Sequence, residues 1–331
     1  MVNSVLEYLP LRSLGYLATL PYMDHIVRDH LRRRIESTIA ASGLHVQNTL
    51  SMMEQSGTVI SGSAALEIAA PGLCSPNDLN LYCPLESYSD AIDLITQTDG
   101  YIAEQERTTT VAARRTPFSK LNVNNGVRRM WKFRHISTGR RITLTESLSP
   151  SPLAPIFFFH LTSLMNCVTG RGAVSFYPEM SEKYTVQALI NRSKNFETIH
   201  RPLEVSKWTD RGTTIIPDCA DTHPGHPSSV TRERRGMCQW SYRHTKDPWT
   251  TYLAFKKPEL ECDIGPALAW RLGHLFKARG QIKIYAPTVH LLHEEWHLRT
   301  FRLLEIWIEY AAPLDGDTSV IAPEAWRRSF P

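Results

Sequence analysis

Apolar residues near the N-terminus recur with the period of a helix. Ile26, Val27, Leu31, Ile35 and Ile39 are separated by charged residues, which predicts a helix over 24–41 that stops at Ser42-Gly43. Ahead of it, Val5-Leu6-Glu7-Tyr8-Leu9-Pro10-Leu11-Arg12-Ser13-Leu14 reads as a shorter helical stretch. A short helix over 46–54 then leads into the apolar strand Thr58-Val59-Ile60 and a Gly62-Ser63 turn. A helix over 64–70, closed by Pro71-Gly72, a strand over 79–83 and an amphipathic helix over 88–98, ended by Asp99-Gly100, complete the first third.

Past residue 100 the pattern changes to β-type segments at 101–104, 108–113, 126–136 and 141–146. Ser137-Thr138-Gly139 joins the last two as a hairpin, so the predicted sheet is mixed or mostly antiparallel. Ser149-Pro150-Ser151-Pro152 breaks the chain, and the apolar run at 155–168 predicts a buried helix containing His160 and Asn166. A further helix is expected at 181–195, an aperiodic loop at 208–249, a helix at 266–278, a strand at 282–285 and a long helix at 287–311.

The whole reads as an α+β protein: a helical cap at 1–45, a mixed-sheet domain at 46–195, a loop or insertion at 196–262 and a helical region at 263–331.

Composition narrows the partners. With 42% hydrophobic and 21% charged residues the chain is an ordinary globular protein, not a disordered one. The net charge of +4 is too small to require a nucleic-acid partner, although Arg32-Arg33-Arg34, Arg128-Arg129 and Arg140-Arg141 leave one open. Six scattered cysteines read as reduced thiols. No leader and no apolar run near the roughly 18 residues of a membrane span are visible, so a cytoplasmic or nuclear protein without a membrane partner is expected.

The richest stretch for chemistry is the Gly62-Ser63 turn with the strand that follows it. Backbone N–H groups at a helix start attract phosphate, and a Ser hydroxyl adds a donor. Asp78 and Asn80, two apart on a strand, share a face. Carboxylates in that relation hold Mg²⁺ against a triphosphate for in-line attack.

This order resembles the nucleotidyltransferase superfamily: a hydrophobic strand, Gly-Ser, a helix, then Asp-x-Asp/Glu. Ser61-Gly62-Ser63-Ala64-Ala65-Leu66, Pro76-Asn77-Asp78-Leu79-Asn80-Leu81-Tyr82 and Ser151-Pro152-Leu153-Ala154-Pro155-Ile156-Phe157 are similar to a set of fungal proteins with that fold, over about residues 45–190. The resemblance implies Gly62 and Ser63 as nucleotide contacts and Asp78 as a metal ligand. It places Asn80 on the second ligand position and expects a third acid on the strand at 141–146, which reads Ile142-Thr143-Leu144-Thr145 before Glu146. Strand parity sets Glu146 with Ile142 and Leu144, opposite the threonines.

The expectation is therefore a degenerate, binding-only protein of nucleotidyltransferase type that binds an NTP or a partner. The alternative is an active Mg²⁺-dependent enzyme moving NMP from NTP to an acceptor, with Asp78 helped by Asn80 and Glu146. A third reading is an interaction adaptor, because Leu9-Pro10-Leu11-Arg12-Ser13-Leu14 resembles the second half of an F-box and implies a protein partner at the N-terminal helices.

Two further patterns carry metal chemistry on paper. His293-Glu294-Glu295-Trp296-His297 matches a zinc-protease pattern, but charged Glu295 and Arg299 fit a solvated helix face. Cys219, His223, His226 and Cys238 lack a C-x2-C pair, so zinc is not expected. No Walker lysine turn, dinucleotide fingerprint or Gly-x-Ser-x-Gly elbow is present.

Overall fold

The periodicity of the first sixty residues becomes four helices: α1 (Val2–Leu6), α2 (Leu11–Leu17), α3 (Pro21–Ala41) and α4 (Val46–Ser56). In the computed structural model of the protein the described residues are 2–108, 121, 123–181, 187–191, 206–216, 238–239, 241–255, 264–278, 281–285 and 287–291. Along α3, Val27, Leu31, Ile35 and Ile39 form one fully buried stripe, and Pro21 sits in the first turn, where its missing N–H costs no hydrogen bond.

Strand β1 (Val59–Ser61) leads through Gly62 into α5 (Ser63–Ala69); β2 (Asp78–Cys83), α6 (Ser89–Thr96), β3 (Tyr101–Thr108), β4 (Val127–His135) and β5 (Arg141–Ser147) follow. The sheet continues through β6 (Asn166–Val168) and β7 (Gly172–Ser175). Outside it, β8 (Gln187–Leu189) pairs with β9 (Thr214–Ile216). Beyond β10 (Arg243–His244), β11 (Thr251–Ala254) returns as the far edge, giving the order β11-β7-β6-β1-β2-β5-β4-β3. The β2–β5 pair is parallel and the other neighbours are antiparallel. This is the mixed sheet of an α+β protein, and the hairpin at Ser137-Thr138-Gly139 joins β4 to β5 as expected.

The two sheet faces have different covers. Ile60, Leu79, Leu81, Trp131, Phe133, Ile142 and Leu144 point into one core with the six helices. Leu11 and Leu14, two of the three leucines behind the F-box likeness, are at most 1% exposed in that same core, and Leu9 is partly buried against it. Arg34 fastens the entry of the chain: its guanidinium donates to the carbonyls of Leu6 (2.7 Å), Glu7 (3.2 Å) and Ile68 (2.8 Å). Carbonyls left over at the ends of α1 and α5 are thereby satisfied. Burial lowers the Arg34 pKa to about 10.

On the opposite face, Val59, Tyr82, Cys167 and Val174 meet a second core built from residues after 150. Here the structure corrects the helical reading of the second half. Residues 155–168 are two short 3-10 turns, Ala154–Phe158 and Thr162–Leu164, followed by β6; 187–189 are strand β8. The expected helix at 266–278 is β12 (Leu268–Arg271) and β13 (His274–Ala278), and β14 (Gln281–Tyr285) and β15 (Thr288–Leu291) follow. Only 287–291 of the expected final helix lie among the described residues, and 288–291 are strand.

The second core is built around aromatic side chains. Trp270 stacks on Phe157 at 3.9 Å between ring centroids, and its indole N–H donates to the Tyr177 hydroxyl at 2.8 Å. Arg243, buried beside these rings, is held by Asp247 and the Phe176 carbonyl (2.9 Å). The stretch read as one long loop therefore contains β9, β10, both members of this buried ion pair and, just beyond, an edge of the main sheet.

Candidate functional site

The Gly62-Ser63 turn forms because Gly62 adopts φ 74°, ψ −145°, a backbone state that side chains bearing a Cβ avoid. It also packs against the next strand: a Cβ on Gly62 would lie 3.2 Å from Asn80 Nδ2. Register agrees, since Ser61 of β1 stands opposite Asn80 of β2. The turn and the strand are thus brought together as the sequence predicted.

Ser63 opens α5 and is half-buried, with its carbonyl accepting from Cys74 Sγ at 3.4 Å. Glu67 accepts from the N–H groups of Gly72 (2.8 Å) and Cys74 (3.1 Å), closing the loop between α5 and β2 on itself. Burial, then the Glu67 charge, pushes the Cys74 thiol up to about 12, so it stays protonated.

From β2 the face is built rung by rung. Asp78, Asn80 and Tyr82 alternate with buried Leu79, Leu81 and Cys83. The parallel pairing sets Asp78 beside Arg141, Asn80 beside Thr143 and Tyr82 beside Thr145; antiparallel β4 adds Arg134, Lys132 and Met130 on the same rungs. The Asp78–Arg141 end is exposed, whereas Tyr82 and Thr145 are buried where the Phe159 ring meets Tyr82 edge-on at 5.9 Å. Burial, then the charge of Asp78, raises the Tyr82 pKa, so its hydroxyl stays protonated. Next to the open end, Asp78, Arg140, Arg141, Glu67 and Thr38 line a cavity of about 160 Å³.

Asn80 Nδ2 donates to Asp78 Oδ2 at 3.3 Å, so these two predicted residues touch. Glu146 does not join them. It stands opposite Cys83, five residues along the strand from Asp78, about 16 Å at the usual rise, and on the helix-covered face. There its fully buried carboxylate accepts from the Glu86 N–H (2.9 Å) and Arg128 Nη1 (3.2 Å), with Arg129 Nε at 3.7 Å. The helper role for Glu146 is corrected accordingly: two arginines neutralise it in a structural clamp, and its charge, after burial, pushes the neighbouring Cys83 thiol up to about 12.

Within β1, β2 and β5 the site face carries one carboxylate, Asp78. Thr143 occupies the rung beside Asn80, on the strand where a third acid was expected. Across from Thr143 stands Lys132, half-buried; among the described residues neither Lys132 nor Arg141 has a carboxylate partner. Arg134, by contrast, is paired with Glu104. Lys132 and Arg141 are cationic residues of this face that motif reasoning did not assign to it. The signal was the alternation Trp131-Lys132-Phe133-Arg134, apolar toward the helices and cationic toward the open face.

That donor set does not fit a pair of Mg²⁺ ions. Hard dications take several oxygens with enough negative charge to offset them, while here one carboxylate is flanked by an amide, a hydroxyl and two cations. Among the described residues no three His, Cys, Asp or Glu side chains gather as a metal site. Cys238 is buried; Cys219, His223 and His226, and the His293–His297 pattern, lie outside the described residues. Among the described residues no helix is long and apolar enough to cross a membrane.

Comparison with protein families, with characterised proteins and with solved structures finds no match for this chain.

Proposed function

We propose that this chain is a nucleotidyltransferase-like protein that binds a nucleotide and has lost the transfer chemistry. One observation carries the reading: the Gly62 turn abuts the strand bearing Asp78 and Asn80, while the rung that should complete a metal site holds Thr143. The connection supports the fold resemblance. A buried apolar strand turns through a glycine into a helix, the next strand runs antiparallel beside it, and a later strand lies parallel to that one. The loss of chemistry rests on charge. In-line phosphoryl transfer needs cations held at both the attacking and leaving oxygens, and a lone carboxylate cannot hold them.

The test is equilibrium binding of labelled ATP, GTP, CTP and UTP to the full chain, alongside an assay for label transfer to protein, RNA and small acceptors. Binding weakened by changes at Asn80 or Thr143, with no transfer, is expected. Transfer that disappears in Asp78→Ala would overturn the binding-only reading, and no binding of any NTP would overturn the nucleotide reading itself.

A further inference from the structure

Resting on that reading, we infer that the open face binds its ligand's phosphates without metal, with Lys132 and Arg141 supplying the positive charge and Asn80 and Thr143 neutral hydrogen bonds. The ligand class is a polyphosphate anion, free or as part of a nucleotide. Three features of the sheet lead there.

The first is register. Asn80, Thr143 and Lys132 are successive members of one rung across β2, β5 and β4, and Asp78 and Arg141 are neighbours on the next. Adjacent strands are about 4.8 Å apart, so Asn80 and Lys132 bracket a strip about 10 Å wide with Thr143 at its centre. The second is the absence of internal partners. A half-buried ammonium such as Lys132 normally finds a carboxylate, and among the described residues neither it nor Arg141 has one, although Arg134 two residues on does. The third is access. The rungs are closed by Tyr82 and Phe159 at one end and open at Asp78 and Arg141, so a chain of phosphates can lie along the strip from the open end.

In a metal-dependent site the protein is negative and the cation bridges it to the phosphates. Here the protein itself carries the bridging charge. Lysine serves as a point charge for phosphate, while the arginine fork can take two of its oxygens. Asp78 repels the same ligand, and its hydrogen bond from Asn80 draws part of its charge toward the β2 edge.

The experiment is calorimetric titration of the full-length protein with ATP, inorganic triphosphate and adenosine, each in EDTA and again with excess Mg²⁺. Expected are binding of ATP and triphosphate in EDTA, competition between them, no binding of adenosine, and no gain in affinity from Mg²⁺. Lys132→Gln and Arg141→Gln should each weaken triphosphate binding by roughly 10- to 100-fold, the loss of one charge-assisted contact, and Lys132→Arg should restore most of it. Thermal unfolding of each variant near the native midpoint separates a binding loss from a folding loss. ATP binding that requires Mg²⁺, adenosine binding as tight as ATP, or a Lys132→Gln, Arg141→Gln double variant with native affinity would each overturn the metal-free site and leave the nucleotide reading standing. Absence of binding by ATP and triphosphate in both buffers would overturn both.

Discussion

The side-chain amide of Asn80 donates to the carboxylate of Asp78 at 3.3 Å, a contact that two ionised carboxylates would make unfavourable. Asn80→Asp therefore tests whether the face can be returned to metal binding. Two like charges about 4 Å apart in water repel by about 1 kcal/mol, so the variant should be less stable by about that amount without metal. Mg²⁺ should then raise its unfolding midpoint more than that of the native chain. A variant as stable as the native protein and indifferent to Mg²⁺ would show that the two positions do not share a ligand.

Gly62→Ala should destabilise by about 1–3 kcal/mol, because φ 74°, ψ −145° is a glycine conformation and the new methyl meets Asn80. Urea unfolding measures the loss. Adding Asn80→Ala should return the share due to the contact and leave the share due to the backbone. Full recovery in the double variant would contradict the backbone argument.

Glu146→Gln should cost about 1–3 kcal/mol of stability by leaving Arg128 and Arg129 without their buried counter-charge; both arginines are partly exposed, which keeps the figure below that of a fully buried pair. Nucleotide affinity should be unchanged, since the residue lies on the other face. A variant of native stability with weakened binding would reverse the assignment.

His290 gives a pH dependence of defined sign. Its Nδ1 is buried without a hydrogen-bond partner, and burial, then the Arg271 charge, pushes its pKa down to about 4 from the usual 6.5. Between those values the unfolded chain holds a proton that the folded chain does not. Its contribution to stability is therefore complete above about pH 6.5 and is lost as pH falls toward 4. His290→Gln should flatten the stability profile in that window; an unchanged slope would mean that other groups set it.

How much of this was legible depends on which cue each segment carries. α3, α6 and the β4–β5 hairpin announce themselves because one side of each is buried and the period shows it. The turn at Gly62 was legible for a different reason, since glycine before a helix has few other uses. Residues 155–168 and 266–278 misled because Phe157, Leu268 and Trp270 pack into the second core and Leu268–Arg271 is buried at every position, so no strand alternation is there to read. Lys132 was hidden by a motif search that looks for acids. Only pairing partners, Thr143 and through it Asn80, reveal where its charge is aimed.

Arg28 Nη1 donates to the carbonyl of Ala254 at 2.6 Å, 226 residues away. During synthesis, at about 5–20 residues per second, α3 would wait roughly 10–45 s for that acceptor to be made. Until then the outer edge of the sheet at β7 is also unpaired, because β11 ends at the same residue. The nascent chain thus carries an uncovered strand from the completion of β7 until β11 is made, roughly 4–16 s at the same rate, the interval in which a holding chaperone, or aggregation, has its opportunity.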